Sequence, residues 1–118
     1  MEILRYKNAT IHFSSNGQGR VVVLLHGFLE NIAMWDDIKH TLSEKYRVIS
    51  IDLLGHGKSE NIGYIHSMED QAFMIKFVLD TLKLHKYVLI GHSMGGYISL
   101  AFAQHFMENI KGLCLMNS

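Results

Sequence analysis

The apolar residues of this chain fall into two kinds of run. Arg20-Val21-Val22-Val23-Leu24-Leu25 is a continuous β-branched run, and Tyr46 to Ile51, Tyr87 to Ile90 and Ile110 to Met116 also read as buried strands. Continuous runs of this length suit strands covered on both faces, hence a parallel sheet with helices on each side. Between them the spacing changes to three and four. Trp35, Ile38 and Leu42 share one helical face, so residues 32–44 are expected to form a helix with Asn31 as its N-cap. Ala72, Ile75, Leu79 and Leu82 predict a second helix running through Lys83, with Ser67 and Asp70 at capping-box spacing. Residues 95–107 predict a third. Ahead of these, residues 2–6 and 9–14 around Lys7-Asn8 read as a β-hairpin, and residues 14–19 as a loop by composition. The chain carries no internal repeat, linker or low-complexity tract.

Strands and helices therefore alternate, β-α-β-α-β-α-β, behind an N-terminal hairpin. That order predicts an α/β fold: a mostly parallel, doubly wound sheet with right-handed crossovers. Open sheets of this kind gather function at the carboxyl ends of their strands. Three glycine-bearing loops, at 26–28, 52–59 and 91–96, are expected there. The last contains Gly91-His92-Ser93-Met94-Gly95-Gly96. A strand that turns into a helix within one residue forces a strained backbone on that residue, and glycines two before and two after it avoid a collision across the turn. The arrangement lifts the Ser93 hydroxyl above the sheet. It also sets the Met94 N–H at a helix N-terminus, where developing negative charge is stabilised.

Composition narrows the field. A net charge of zero argues against an electrostatic nucleic-acid binder. The single cysteine, Cys114, permits no internal disulfide, which fits a reducing compartment, and a cytoplasmic location is expected. Met1 to Tyr6 lack the basic and apolar blocks of a signal peptide. The most apolar long stretch, Val88 to Phe106, is interrupted by glycines and polar residues, so no membrane span is expected. Neither metal-ligand spacing nor a phosphate-binding loop is present, and no cofactor is expected.

Taken together, Leu25-His26-Gly27-Phe28, Asp52-Leu53-Leu54-Gly55-His56-Gly57-Lys58-Ser59 and Gly91-His92-Ser93-Met94-Gly95-Gly96 resemble the α/β-hydrolase family over essentially the whole chain. The resemblance implies a small-molecule acyl substrate, Ser93 as nucleophile, and the backbone N–H groups of Phe28 and Met94 as an oxyanion hole. Gly27, Gly91, Gly95 and Gly96 would shape the elbow and its facing loop, with His26 and Tyr97 as candidate pocket residues. Leu54 stands where the family often has proline, which affects loop stiffness alone. In the family an acid and then a histidine follow the serine. Here Glu108 and His105 are the sole candidates after Ser93, and His105 lies about 18 Å along the same helix, at 1.5 Å per residue. The chain thus reads as the N-terminal half of a hydrolase domain, without a general base of its own, and it is expected to turn over negligibly by itself.

The remaining histidines and acids have humbler expected roles. His26 is expected to set the oxyanion loop, His56 to bond within its loop, His92 to pack beneath the elbow, and His12, His40, His66 and His85 to lie at surfaces or edges. Asp52 is expected to hold its own glycine loop, and Cys114 to sit inertly in the core. The strand at 110–116, without a further strand beside it, would be an open apolar edge and a route to edge-to-edge dimers. Three functions compete. One is a serine esterase, thioesterase or lipase-like enzyme. The second is a carbon–carbon bond hydrolase or lyase of the same fold, and the third a non-catalytic ligand-binding module. Dehalogenase and epoxide-hydrolase chemistry is disfavoured because those relatives carry aspartate at the position of Ser93.

Overall fold

The computed structural model describes residues 2–27, 30–56, 59 and 67–116. The predicted hairpin is present: β1 (Glu2–Tyr6) pairs antiparallel with β2 (Ala9–Asn16), and Lys7 turns the corner at φ 52°. β3 (Val21–Leu25) leads into a 3₁₀ turn at Ile32–Trp35 and then α1 (Asp36–Leu42). β4 (Arg47–Ile51), α2 (Met68–Thr81), β5 (Tyr87–His92), α3 (Met94–Phe106), a second 3₁₀ turn at Met107–Asn109 and β6 (Ile110–Met116) complete the order.

Six strands form one sheet in the order β1-β2-β4-β3-β5-β6 among the described residues. β3 pairs parallel with both β4 and β5, β5 pairs parallel with β6, and β2 meets β4 antiparallel. Alternate residues of β3 serve opposite faces, as strand geometry requires. Val23 and Leu25 join Ile49, Leu89, Ile75 and Phe102 under α2 and α3, while Val22 and Leu24 meet Val48 and Trp35 on the other side. This two-sided burial is what the unbroken apolar runs predicted.

The helix expected over 32–44 is instead a 3₁₀ turn followed by a short α-helix. In a 3₁₀ turn residues i and i+3 eclipse one another, so Ile32 and Trp35 are both buried. The shift in phase leaves Ile38 exposed, although it belonged to the predicted apolar face. At α2 the capping box forms in both directions: Ser67 Oγ accepts from Asp70 N (3.0 Å) and Asp70 Oδ2 accepts from Ser67 N (2.9 Å). α2 ends at Thr81, short of the predicted Lys83, which adopts φ 61° and reverses the chain.

β6 is one margin of the sheet and pairs with β5 alone among the described residues. Cys114, expected in the core, is exposed along with Leu115 and Met116. The reason is positional: an apolar strand is buried on both faces only when it lies inside a sheet, and β6 does not. No described helix is long and apolar enough to cross a membrane.

Candidate active site

β5 continues two residues past the predicted Ile90 and α3 begins at Met94, so Ser93 is the entire junction. It sits at φ 54°, ψ −114°, a left-handed conformation that costs a residue with a side chain about 1–3 kcal/mol. The surrounding backbone holds it there. Ser93 N donates to Met116 O (2.9 Å), and Ser93 O accepts from Gly96 N (2.9 Å). A side chain at Gly91 would strike the Gly95 peptide across the turn, with Gly96 N only 2.6 Å away. At Gly95 the obstacle is different: its missing Cβ points into the end of β3, 2.7 Å from His26 O. Gly95 and Gly96 are both buried. Met94 is the first residue of α3, and its amide belongs to the group of N-terminal donors that helix geometry leaves without an intrahelical acceptor. Phe28, the other expected oxyanion donor, lies outside the described residues, as do Gly57, Lys58 and His66.

The carboxyl ends of β3, β4 and β5 come together here, as parallel pairing dictates: Leu25 stands beside Ile51 on one side and Gly91 on the other. His26 is wholly buried behind these loops rather than on a pocket wall. Its Nδ1 donates to Gly27 O (2.8 Å) and its Nε2 accepts from Leu53 N (3.0 Å), which fixes one neutral tautomer. Burial is the main force holding its pKa below the ordinary 6.5, with the hydrogen bond to the Gly27 carbonyl opposing it and nearby His56 adding to it. Asp52 Oδ1 lies 4.0 Å from Nε2, but that nitrogen carries no proton, so the two form no ion pair. Asp52 Oδ1 accepts from Ile32 N (2.8 Å), tying the end of β4 to the 3₁₀ turn after β3.

Two side chains that tie these loops to other elements escaped the sequence reading. Gln71, buried on α2, clasps Leu54 from both sides: Leu54 N donates to its Oε1 (2.9 Å) and its Nε2 donates to Leu54 O (3.1 Å). A polar residue on a helix face otherwise built from Ala72, Ile75 and Leu79 was the available signal. Glu30 is the other. Its Oε1 accepts from Gly27 N (2.9 Å) and meets His92 Nδ1 at 3.0 Å. His92, expected beneath the elbow, is therefore turned toward the β3 loop. An acid three residues after Gly27 was visible, but its partner is 62 residues away.

His56 bonds Leu54 O through Nδ1 (3.0 Å), as a loop residue. His105 packs against Phe73 in a tilted arrangement, ring centroids 4.9 Å apart, far along α3 from Ser93. Tyr97 is exposed and, with Met68, Leu100, Ala101 and Met107, lines an open groove of about 550 Å³ between α2 and α3. Among the described residues no group of three or more metal-ligating side chains converges.

Comparison with known proteins matches residues 20–118 to the family model described as the alpha/beta hydrolase fold. A 2-hydroxy-6-oxononadienedioate/2-hydroxy-6-oxononatrienedioate hydrolase of Escherichia coli O139:H28 is 39% identical over 116 residues, covering 93% of this chain and 40% of that protein. The structure of a thermophilic esterase from Thermogutta terrifontis superposes with a TM-score of 0.88 at 37% identity, over 91% of this chain and 40% of the other. An N-acyl homoserine lactone degrading enzyme superposes at 0.93 with 28% identity, over 97% and 44%. The chain spans about two fifths of the length of these relatives.

Proposed function

Because the chain belongs to the α/β-hydrolase fold family, we propose that it carries the nucleophile and oxyanion-binding half of a serine hydrolase acting on ester or related acyl bonds. The observation that carries this reading is Ser93 itself, held at φ 54°, ψ −114° as the lone residue between a strand and a helix. Strain of this kind is retained where a surrounding structure pays for it, and a helix N-terminus beside a serine hydroxyl suits acyl chemistry.

In the proposed mechanism Ser93 Oγ attacks a carbonyl carbon as a histidine takes its proton. The Met94 and Phe28 amides then stabilise the tetrahedral oxyanion, which collapses to the acyl-enzyme as the ester C–O bond breaks and the histidine gives its proton to the departing alcohol. Water, deprotonated by the same histidine, then attacks the acyl-enzyme and frees the acid and Ser93. Each amide donor contributes about 3 kcal/mol to lowering the barrier. His26 has both ring nitrogens engaged and His105 lies far down α3 against Phe73, so neither suits the role of base. We assign the histidine and its acid partner to chain following Ser118, in keeping with the greater length of the relatives, and place the protein in a reducing compartment, in keeping with its one cysteine. A second reading, hydrolysis of a carbon–carbon bond, draws on the E. coli relative at 39% identity.

Natural-length protein assayed on p-nitrophenyl esters of graded chain length, beside Ser93→Ala, tests the reading. Turnover abolished by Ser93→Ala supports it. Turnover that survives in the variant refutes the nucleophile, and cleavage confined to 2-hydroxy-6-oxo dienoates selects the second reading.

A further inference from the structure

We infer that Glu30 is a positioning residue of the catalytic centre, latching the loop after β3 to the elbow. The inference rests on Ser93 as the nucleophile. A single carboxylate oxygen, Oε1, serves two segments that are remote in sequence: it accepts the Gly27 N–H at 2.9 Å and lies 3.0 Å from His92 Nδ1. A carboxylate only accepts, so His92 presents Nδ1–H to it. His92 adjoins Ser93 directly, and Gly27 leads directly into the loop expected to supply the facing amide. The two segments nearly touch. A Cβ built on Gly27 would stand 3.2 Å from both Ser93 Cβ and His92 O, and Glu30 Oε1 already occupies the space in front of it. Gly27 therefore lacks a side chain partly to admit this carboxylate.

The latch has a chemical consequence. The Gly27 N–H is committed to Glu30 Oε1, so the peptide joining His26 to Gly27 is oriented before substrate arrives. The next peptide, which begins at the Gly27 carbonyl, is fixed as well: that carbonyl accepts from His26 Nδ1 (2.8 Å) and from the backbone Glu30 N (3.2 Å), so both peptides flanking Gly27 are held. Oxyanion stabilisation depends on donors already in place, since reorientation during the reaction consumes the benefit. Removing the Glu30 carboxylate releases the peptide before Gly27 and its tie to His92, loosening the base of the loop, and should slow the chemical step without changing how substrate binds.

The test compares natural-length wild type with Glu30→Ala and Glu30→Gln on a neutral p-nitrophenyl ester, with amide hydrogen exchange at Gly27. Glu30→Ala is expected to lower kcat about tenfold or more with KM within about twofold, as lost orientation of a catalytic amide does. Gly27 exchange is expected to speed up about tenfold in the same variant. Glu30→Gln keeps an oxygen that accepts both N–H groups and should recover kcat to within about threefold of wild type. A kcat in Glu30→Ala within about threefold of wild type, a loss carried by KM, or a Gln variant as slow as Ala would overturn the inference. If Glu30→Ala does not fold, His92→Leu removes the other donor and should show the same kcat-only loss; wild-type kcat there overturns it too. The Gly27 exchange measurement needs no turnover. A latch intact by exchange in a protein whose activity survives Ser93→Ala would refute the nucleophile assignment and, with it, this role for Glu30.

Discussion

Replacing His26 by phenylalanine tests how the loops around the site are held. The ring is retained and both nitrogens are lost. Leu53 N–H, fully buried and donating to Nε2 at 3.0 Å, would then have no acceptor, which costs about 1–3 kcal/mol. The Gly27 carbonyl would lose the Nδ1–H bond but keep the 3.2 Å bond from Glu30 N, so its loss is about 1 kcal/mol at most. Together the variant should be about 1–4 kcal/mol less stable near pH 7.5 by urea denaturation followed through far-ultraviolet circular dichroism. The pH dependence supplies an internal control. Burial holds the folded-state pKa of His26 below 6.5, so between the two values the unfolded chain binds more protons and stability falls as pH falls. The contribution is fully present above pH 6.5 and is lost on descending through the folded pKa, at no more than about 1.4 kcal/mol per pH unit. His26→Phe should lack this slope, so the gap between variant and wild type should narrow toward about pH 5.5. A cost below about 1 kcal/mol, or parallel pH dependences, would refute the buried neutral tautomer.

Three further expectations follow from the same geometry. Ser93→Gly should remove fluorophosphonate labelling while stabilising the fold by about 1–2 kcal/mol, because glycine accepts φ 54° without strain; a destabilised variant would contradict the strain. Gly95→Ala should destabilise by about 3 kcal/mol or more in the same urea assay, since the new methyl meets the backbone of β3 rather than a movable side chain, and an effect under about 1 kcal/mol would sink that account. We propose that the chain of 118 residues by itself associates through β6, where Leu115 and Met116 are exposed on the margin strand; multi-angle light scattering should show dimers or larger species that Leu115→Lys disperses, and a monomer at all concentrations would argue against it.

The local pattern settled more of this protein than its length would suggest. The continuous β-branched run at 20–25 and the apolar-rich stretches at 46–51 and 87–90 named the interior strands because burial on both faces favours apolar side chains on both. Ser67 and Asp70 named a helix start because a capping box is a contact between neighbours. Glycines at 91 and 95 around Ser93 named the elbow because the clash across the turn spans four residues. What needed the tertiary structure were contacts made at a distance in the chain. Gly95 is required by the end of β3 as well as by its own turn. Asp52 reaches the 3₁₀ turn at Ile32, Gln71 holds Leu54, and Glu30 finds His92. Cys114 misled because an apolar strand looks the same in sequence whether it lies inside a sheet or at its margin. Periodicity records which faces of an element avoid water. It carries no information on which carboxylate meets which amide once parallel pairing brings three strand ends to one place.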